Sequence, residues 1–285
     1  MEAESRYYHS QRLKLHYVVW GADAKPPLLL IHGGRDHARS WDHVAHRLVD
    51  RYTVYAPDLR GHGDSGWAIG GQYSLPEFVA DMAALVEVLG HEKLTVVGHS
   101  LGGAVALQFA GVFPSRVEKV VAIEGLGPRV LERSPAHHRM REWIAHMQEM
   151  DRRHPRHYAT LEEAVRRMQE ANPHLTPEFA HDLTLHGTRR NEDGTYSWKF
   201  DNYVRIRSPY EFNIEDARVL WNQIRCPVLL IRGAESWTGD PEEDDRASAF
   251  HCYRSVVIEG AGHWVHHDRL DRFLDIVADF LSSEG

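Results

Sequence analysis

A serine hydroxyl becomes a useful nucleophile only where a base can take its proton and a substrate can reach it. Gly98-His99-Ser100-Leu101-Gly102 is a G-x-S-x-G pentapeptide, set directly after the apolar run 94–97 (LTVV) and before the helix-like stretch AVALQFA. That context predicts a tight strand-to-helix turn that lifts Ser100 above a sheet, at some cost in backbone strain. Gly98 and Gly102 are needed because a Cβ at either position would strike neighbouring backbone. The turn also aims the Leu101 N–H, at the start of a helix, toward an oxyanion developing on the substrate. A second donor is expected from Gly34, in the loop His32-Gly33-Gly34 that follows the apolar run 27–31 (PLLLI).

The partners of such a serine follow it along the chain, acid first and histidine last. Gly260-Ala261-Gly262-His263-Trp264 comes straight after the run 255–258 (SVVI), and its glycines let the loop reach back over the strand ends. His263 is therefore expected as the base, chosen from 21 histidines by its place behind a strand. His266 and His267 are read as the opening of the last helix. A carboxylate must hold the imidazole in one tautomer and stabilise the imidazolium that forms. Glu124 ends the run 120–123 (VVAI), 24 residues beyond Ser100, and Glu235 lies in Gly233-Ala234-Glu235-Ser236; the residues alone leave both open. Asp58 and Asp64 are read as structural loop residues. Trp41, Trp67, Trp143, Trp198, Trp237 and Trp264 are candidate pocket walls, with Trp41, His99 and Trp264 assigned to the substrate pocket.

These loops need a scaffold that ends several strands at one edge. Apolar runs at 13–20, 27–31, 52–56, 94–97, 120–123, 226–231 and 255–258 read as strands, most of them buried on both faces. Ser74 and Glu77 form a capping box, with Pro76 early and Gly90 closing a run of apolar residues at helical spacing. Strand, helix, strand in that order implies an α/β chain with a mainly parallel sheet flanked by helices. From about 127 to 222 no buried-strand run occurs; Thr160 with Glu163 and Thr176-Pro177 start helices there, and Asp193-Gly194 reads as a turn. Leu270, Phe273, Leu274, Val277 and Phe280 share one face of a final helix.

The 285 residues, 42% apolar and 26% charged, suit a soluble α/β domain with an insertion. A mean hydropathy of −0.47 predicts no membrane-spanning helix. The net charge of −8 argues against a nucleic-acid partner, which needs concentrated Lys and Arg. The start, MEAESRYYHS, lacks a signal pattern, and two cysteines, Cys226 and Cys252, fit a reducing cytoplasm. His137-His138 and His266-His267 lack zinc spacing, so no metal is assigned.

HGGRDHARSW, APDLRGHGDSGW, GHSLGG and GAGHWVHHD together resemble the α/β-hydrolase fold superfamily, from about residue 7 to the C-terminus. The resemblance implies a core of 1–127 and 223–285 and a helical cap, 128–222, inserted after the sixth strand and roofing the site. IEGLGP and YSWKFD are similar to the serine hydrolase-like subgroup. Many relatives carry an Asp where Ser236 stands, whereas haloalkane dehalogenases keep their acid after the sixth strand, near the Glu124 spacing. The resemblance therefore implies Glu124 as the acid, with Glu235, one residue short of the usual slot, as the rival. The implied activity is cofactor-independent hydrolysis of a small or medium ester-like acyl substrate by a monomer or homodimer. C–C cleavage of a ring-fission diketone, thioester or lactone hydrolysis, and a non-catalytic ligand receptor are the alternatives. Ser100 counts against epoxide opening and dehalogenation, which use an Asp there in relatives.

Overall fold

The computed structural model describes residues 2–22, 24–127, 134–206, 208–210, 213–243 and 245–283. Its strands are β1 (Glu4–Ser10), β2 (Leu13–Trp20), β3 (Pro27–Ile31), β4 (Thr53–Pro57), β5 (Leu94–His99), β6 (Val117–Ile123), β7 (Thr188–Arg190), β8 (Tyr196–Trp198), β9 (Val228–Gly233) and β10 (Tyr253–Ile258). The helices are α1 (Asp42–Leu48), α2 (Leu75–Leu89), α3 (Leu101–Val112), α4 (Ala136–Arg152), α5 (Leu161–Ala171), α6 (Pro177–Gly187), α7 (Ile214–Trp221), α8 (Val265–Asp268) and α9 (Leu270–Ser282).

Eight strands form one sheet in the order β1-β2-β4-β3-β5-β6-β9-β10. The pairs from β4 to β10 are parallel, while β2 runs antiparallel to both of its neighbours. The continuous apolar runs follow from burial on both faces. Leu29, Ile31, Val96, Val120, Ala122 and Leu230 pack with residues of α2, α3 and α7. The alternate residues Leu28, Leu30, Val97, Val121, Ile123 and Leu229 pack with α1 and α9. All six parallel strands therefore end at one edge, where the chemistry-bearing loops meet.

The capping box of Ser74 and Glu77 is formed, and Gly90 closes α2 in the left-handed region at φ 72°. Strand β1 is not apparent in the sequence pattern. It pairs along its whole length with β2, but ESRYYHS buries only Tyr8 and Ser10, so an edge strand with polar residues hides its periodicity. His266 and His267 correct their expected role: they lie in the separate four-residue helix α8 and are fully or almost fully buried.

Between β6 and β9 the chain leaves the sheet for α4, α5, α6, the β7–β8 hairpin and α7. The expected beginning of the cap, 128–133, lies outside the described residues. Leu175, Ala180 and Leu183 make a small core against which Trp264 packs. Helix α7, inside the range expected for the cap, instead lies against α3, with Trp221 stacked on Phe250 at 5.4 Å. Among the described residues no helix is long and apolar enough to cross a membrane.

Candidate active site

At the end of β5 the backbone turns sharply into α3, and Ser100 sits at the turn with φ 51° and ψ −114°. That is a left-handed conformation, which costs a non-glycine residue on the order of 1–3 kcal/mol. The surrounding contacts hold it there. Ser100 N–H donates to Ile123 O at 2.7 Å. A Cβ on Gly98 would lie 2.2 Å from Gly102 O, and one on Gly102 would lie 2.2 Å from Ile31 O. Both are backbone collisions, so only glycine permits the bend.

The loop after β10 brings His263 to this hydroxyl. Its Nε2 lies 3.0 Å from Ser100 Oγ, a distance at which the hydroxyl can donate to the ring. The His263 carbonyl accepts a bond from His99 Nε2–H at 2.9 Å, which fixes the loop to the end of β5. Burial, and then the neighbouring His263, hold His99 well below the usual histidine range, so it stays a neutral donor.

Glu124 approaches from the end of β6, also at positive φ, 55°. Its side chain is fully buried, and Oε2 lies 3.7 Å from His263 Nδ1. The carboxylate accepts from Gly233 N–H at 2.7 Å, from Ser236 Oγ–H at 3.0 Å and from the Thr238 hydroxyl. Ser236, in the slot where the resemblance expects the acid, thus holds a carboxylate supplied by another strand. Glu235 is elsewhere: half exposed, it pairs with His174 Nε2 at 3.7 Å.

Leu101 is the first residue of α3, so the helix makes no use of its N–H. Gly34 lies alongside, where an added Cβ would sit 3.9 Å from Leu101 Cδ2. The Gly34 loop is tied down by His32, whose Nε2 accepts from Leu59 N–H at 3.0 Å while Nδ1–H donates to Gly33 O at 2.7 Å. Burial, helped by His62, pushes His32 down to about 3, which preserves that neutral tautomer.

The loop after β4 supports the Gly34 loop in turn. Asp58 is buried and accepts from His16 Nδ1–H, Ala38 N–H and Asp64 N–H at 2.7–2.8 Å. Burial alone would raise its carboxyl, but the His16 hydrogen bond and charge outweigh it and hold the group below the usual range. Arg60 in the same loop makes a bidentate pair with buried Asp81 at 2.6 and 2.7 Å. Asp64 pairs with Lys199, tying the loop to the segment after β8. Asp58 and Asp64 therefore act as struts. With His16 their ligand atoms lie within 4.8 Å of one another, the one such group found among the described residues, but each is already engaged as just given.

Three residues assigned to the substrate pocket sit differently. Trp41 is fully buried in the sheet core and stacks on His266 at 4.4 Å, so it is core packing and does not wall a pocket. His99 is buried beneath the base loop. Trp264 is half-buried and packs on the small core of α5 and α6. Trp237 by contrast is 78% exposed, its ring 5.0 Å from that of His263. Ser236 and Thr238 were not evident as site residues; the hydroxyl in the usual acid slot is the signal that points to them.

The profile of the alpha/beta hydrolase fold family matches residues 26–270. A serine hydrolase-like protein of Danio rerio is 27% identical over 283 residues, covering 95% of this chain and 86% of its own. Esterase Rv0045c of Mycobacterium tuberculosis is 28% identical over 271 residues, covering 93% and 85%. Among solved structures, hypothetical protein PA1622 of Pseudomonas aeruginosa superposes with a TM-score of 0.89 at 25% identity, covering 98% of this chain and all of that one.

Proposed function

Because the chain belongs to the alpha/beta hydrolase fold family, we propose that it hydrolyses small or medium carboxylic esters through an acyl-enzyme on Ser100. The observation that carries this reading is the 3.0 Å contact between Ser100 Oγ and His263 Nε2. As Oγ attacks the ester carbonyl carbon, its proton passes to Nε2. The carbonyl oxygen takes the negative charge and faces the N–H groups of Gly34 and Leu101. The imidazolium stands beside Glu124, whose other acceptor bonds keep it oriented. His263 then gives the proton to the leaving oxygen and the alcohol departs. Water enters, loses a proton to the same nitrogen and attacks the acyl carbon, releasing the acid and restoring the Ser100 hydroxyl.

In this reading α4, α5, α6 and the β7–β8 hairpin, within the expected cap range of 128–222, act as a cap over a core that α7 joins, setting acyl size and excluding water. A serine at the elbow disfavours epoxide opening, which in relatives needs a carboxylate nucleophile. Fold alone does not select the substrate. A series of p-nitrophenyl esters from acetate to dodecanoate, run beside a ring-fission diketone, tests the assignment. Turnover of short or medium esters supports it. Turnover of the diketone with none of the esters overturns it.

A further inference from the structure

We propose that Trp237 is a specificity-determining residue that stacks against a planar aromatic leaving group beside His263; the leaving-group role rests on the ester reading above. A tryptophan exposed over 78% of its surface leaves a large apolar face in water, the opposite of the fully buried Trp41. Its position explains the exposure. The indole lies 5.0 Å from the His263 ring, tilted by 31°, so it borders the base while most of its own surface stays in water.

The loop that carries it is pinned on both sides. Glu235 N–H donates to Ala261 O at 2.9 Å and Ser236 N–H to Gly233 O at 3.2 Å. The Ser236 and Thr238 hydroxyls both end on Glu124. An exposed ring on an anchored root is preorganised, so a ligand stacking on it need not order the loop. The chemistry then selects what it meets. His263 Nε2 must deliver its proton to the leaving oxygen, so the group on that oxygen sits against the imidazole, whose ring lies 5.0 Å from the indole. In this proposal the acyl half lies away from the indole. A flat ring gains offset or edge contact with indole that an aliphatic ring of equal size does not.

The test pairs two acetate esters, phenyl and cyclohexyl, with wild-type, Trp237→Ala and Trp237→Phe protein. Intrinsic leaving-group reactivity cancels in the variant-to-wild-type ratio for each ester. Trp237→Ala is expected to lower kcat/KM for phenyl acetate about tenfold while cyclohexyl acetate changes less than about threefold. Trp237→Phe is expected to keep most of the phenyl preference. In parallel, calorimetry with phenol and cyclohexanol reads binding without turnover. Wild-type protein is expected to favour phenol by about tenfold, and Trp237→Ala to lose that preference. An equal fall on both esters, or phenol binding unaffected by Trp237→Ala, overturns the proposal. Phenol binding that needs Trp237, with neither ester turned over, upholds the aromatic site and removes the ester reading instead.

Discussion

The turn at Ser100 and the helix α4 are opposite ways of using sequence. Around Ser100 the backbone segments touch: added Cβ atoms on Gly98, Gly102 and Gly103 would each lie within 2.7 Å of other backbone. Helix α4 runs 17 residues, and none of them is buried. Where backbone meets backbone, one residue type is admissible and the chemistry is held to a fraction of an ångström. Where a helix buries none of its residues, many sequences serve. Ser100 and the bend that presents it to His263 belong to the first kind, and α4 to the second.

The sharpest way to break that contrast is at the acid. Glu124→Gln keeps the shape of a buried residue 3.7 Å from His263, and turnover is expected to fall about a thousandfold or more. Glu235→Gln, half exposed on His174, is expected to stay within about threefold, as steady-state kinetics on one ester will read. A large loss from Glu235→Gln alone reverses the assignment.

A second effect lies in pH. Burial holds His32 and His267 down to about 3 and His62 to about 4, against about 6.5 in the unfolded chain. Above about pH 6.5 both states are neutral and nothing is lost. As pH falls, the unfolded chain binds protons that the folded one refuses, so stability drops by up to about 1.4 kcal/mol per pH unit for each histidine. The window runs from about pH 6.5 down to about pH 4 for His62 and about pH 3 for His32 and His267. Asp58, lowered in the folded state, loses its contribution only at more acidic pH. Thermal unfolding is expected to show Tm falling steeply across that window; a flat Tm contradicts the neutral buried histidines.

The smallest effect belongs to α4. Ile144 is 45% exposed, and Ile144→Ser is expected to change stability by less than about 0.5 kcal/mol in urea unfolding. In the proposed function, where α4 belongs to the cap, its effect falls instead on the chain-length preference across the ester series. A loss of several kcal/mol there places α4 with the rigid part of the molecule.

What the sequence made legible follows the same division. Ser100, Gly98 and Gly102 are readable because the turn excludes alternatives, and the parallel strands because burial on both faces leaves unbroken apolar runs. His263 is readable from glycines in a loop behind a strand. Glu124 is set apart from Glu235 in the sequence only through the resemblance to relatives with an acid after the sixth strand, since a carboxylate three-dimensionally near a histidine leaves no local pattern. Strand β1 is hidden because one face is polar. Trp41 and Trp237 look alike as letters, yet one is enclosed by the sheet core and the other stands in solvent beside the base. His266 and His267 sit where a helix opening is expected, but the short helix α8 turns them into the core.

Whether Ser100 is a nucleophile activated by His263 is read directly by mass spectrometry after treatment with a fluorophosphonate. The expected result is one covalent adduct on the peptide containing Ser100, absent from Ser100→Ala and slowed by orders of magnitude in His263→Ala. An unlabelled protein, or an adduct on another residue with Ser100 untouched, contradicts the account.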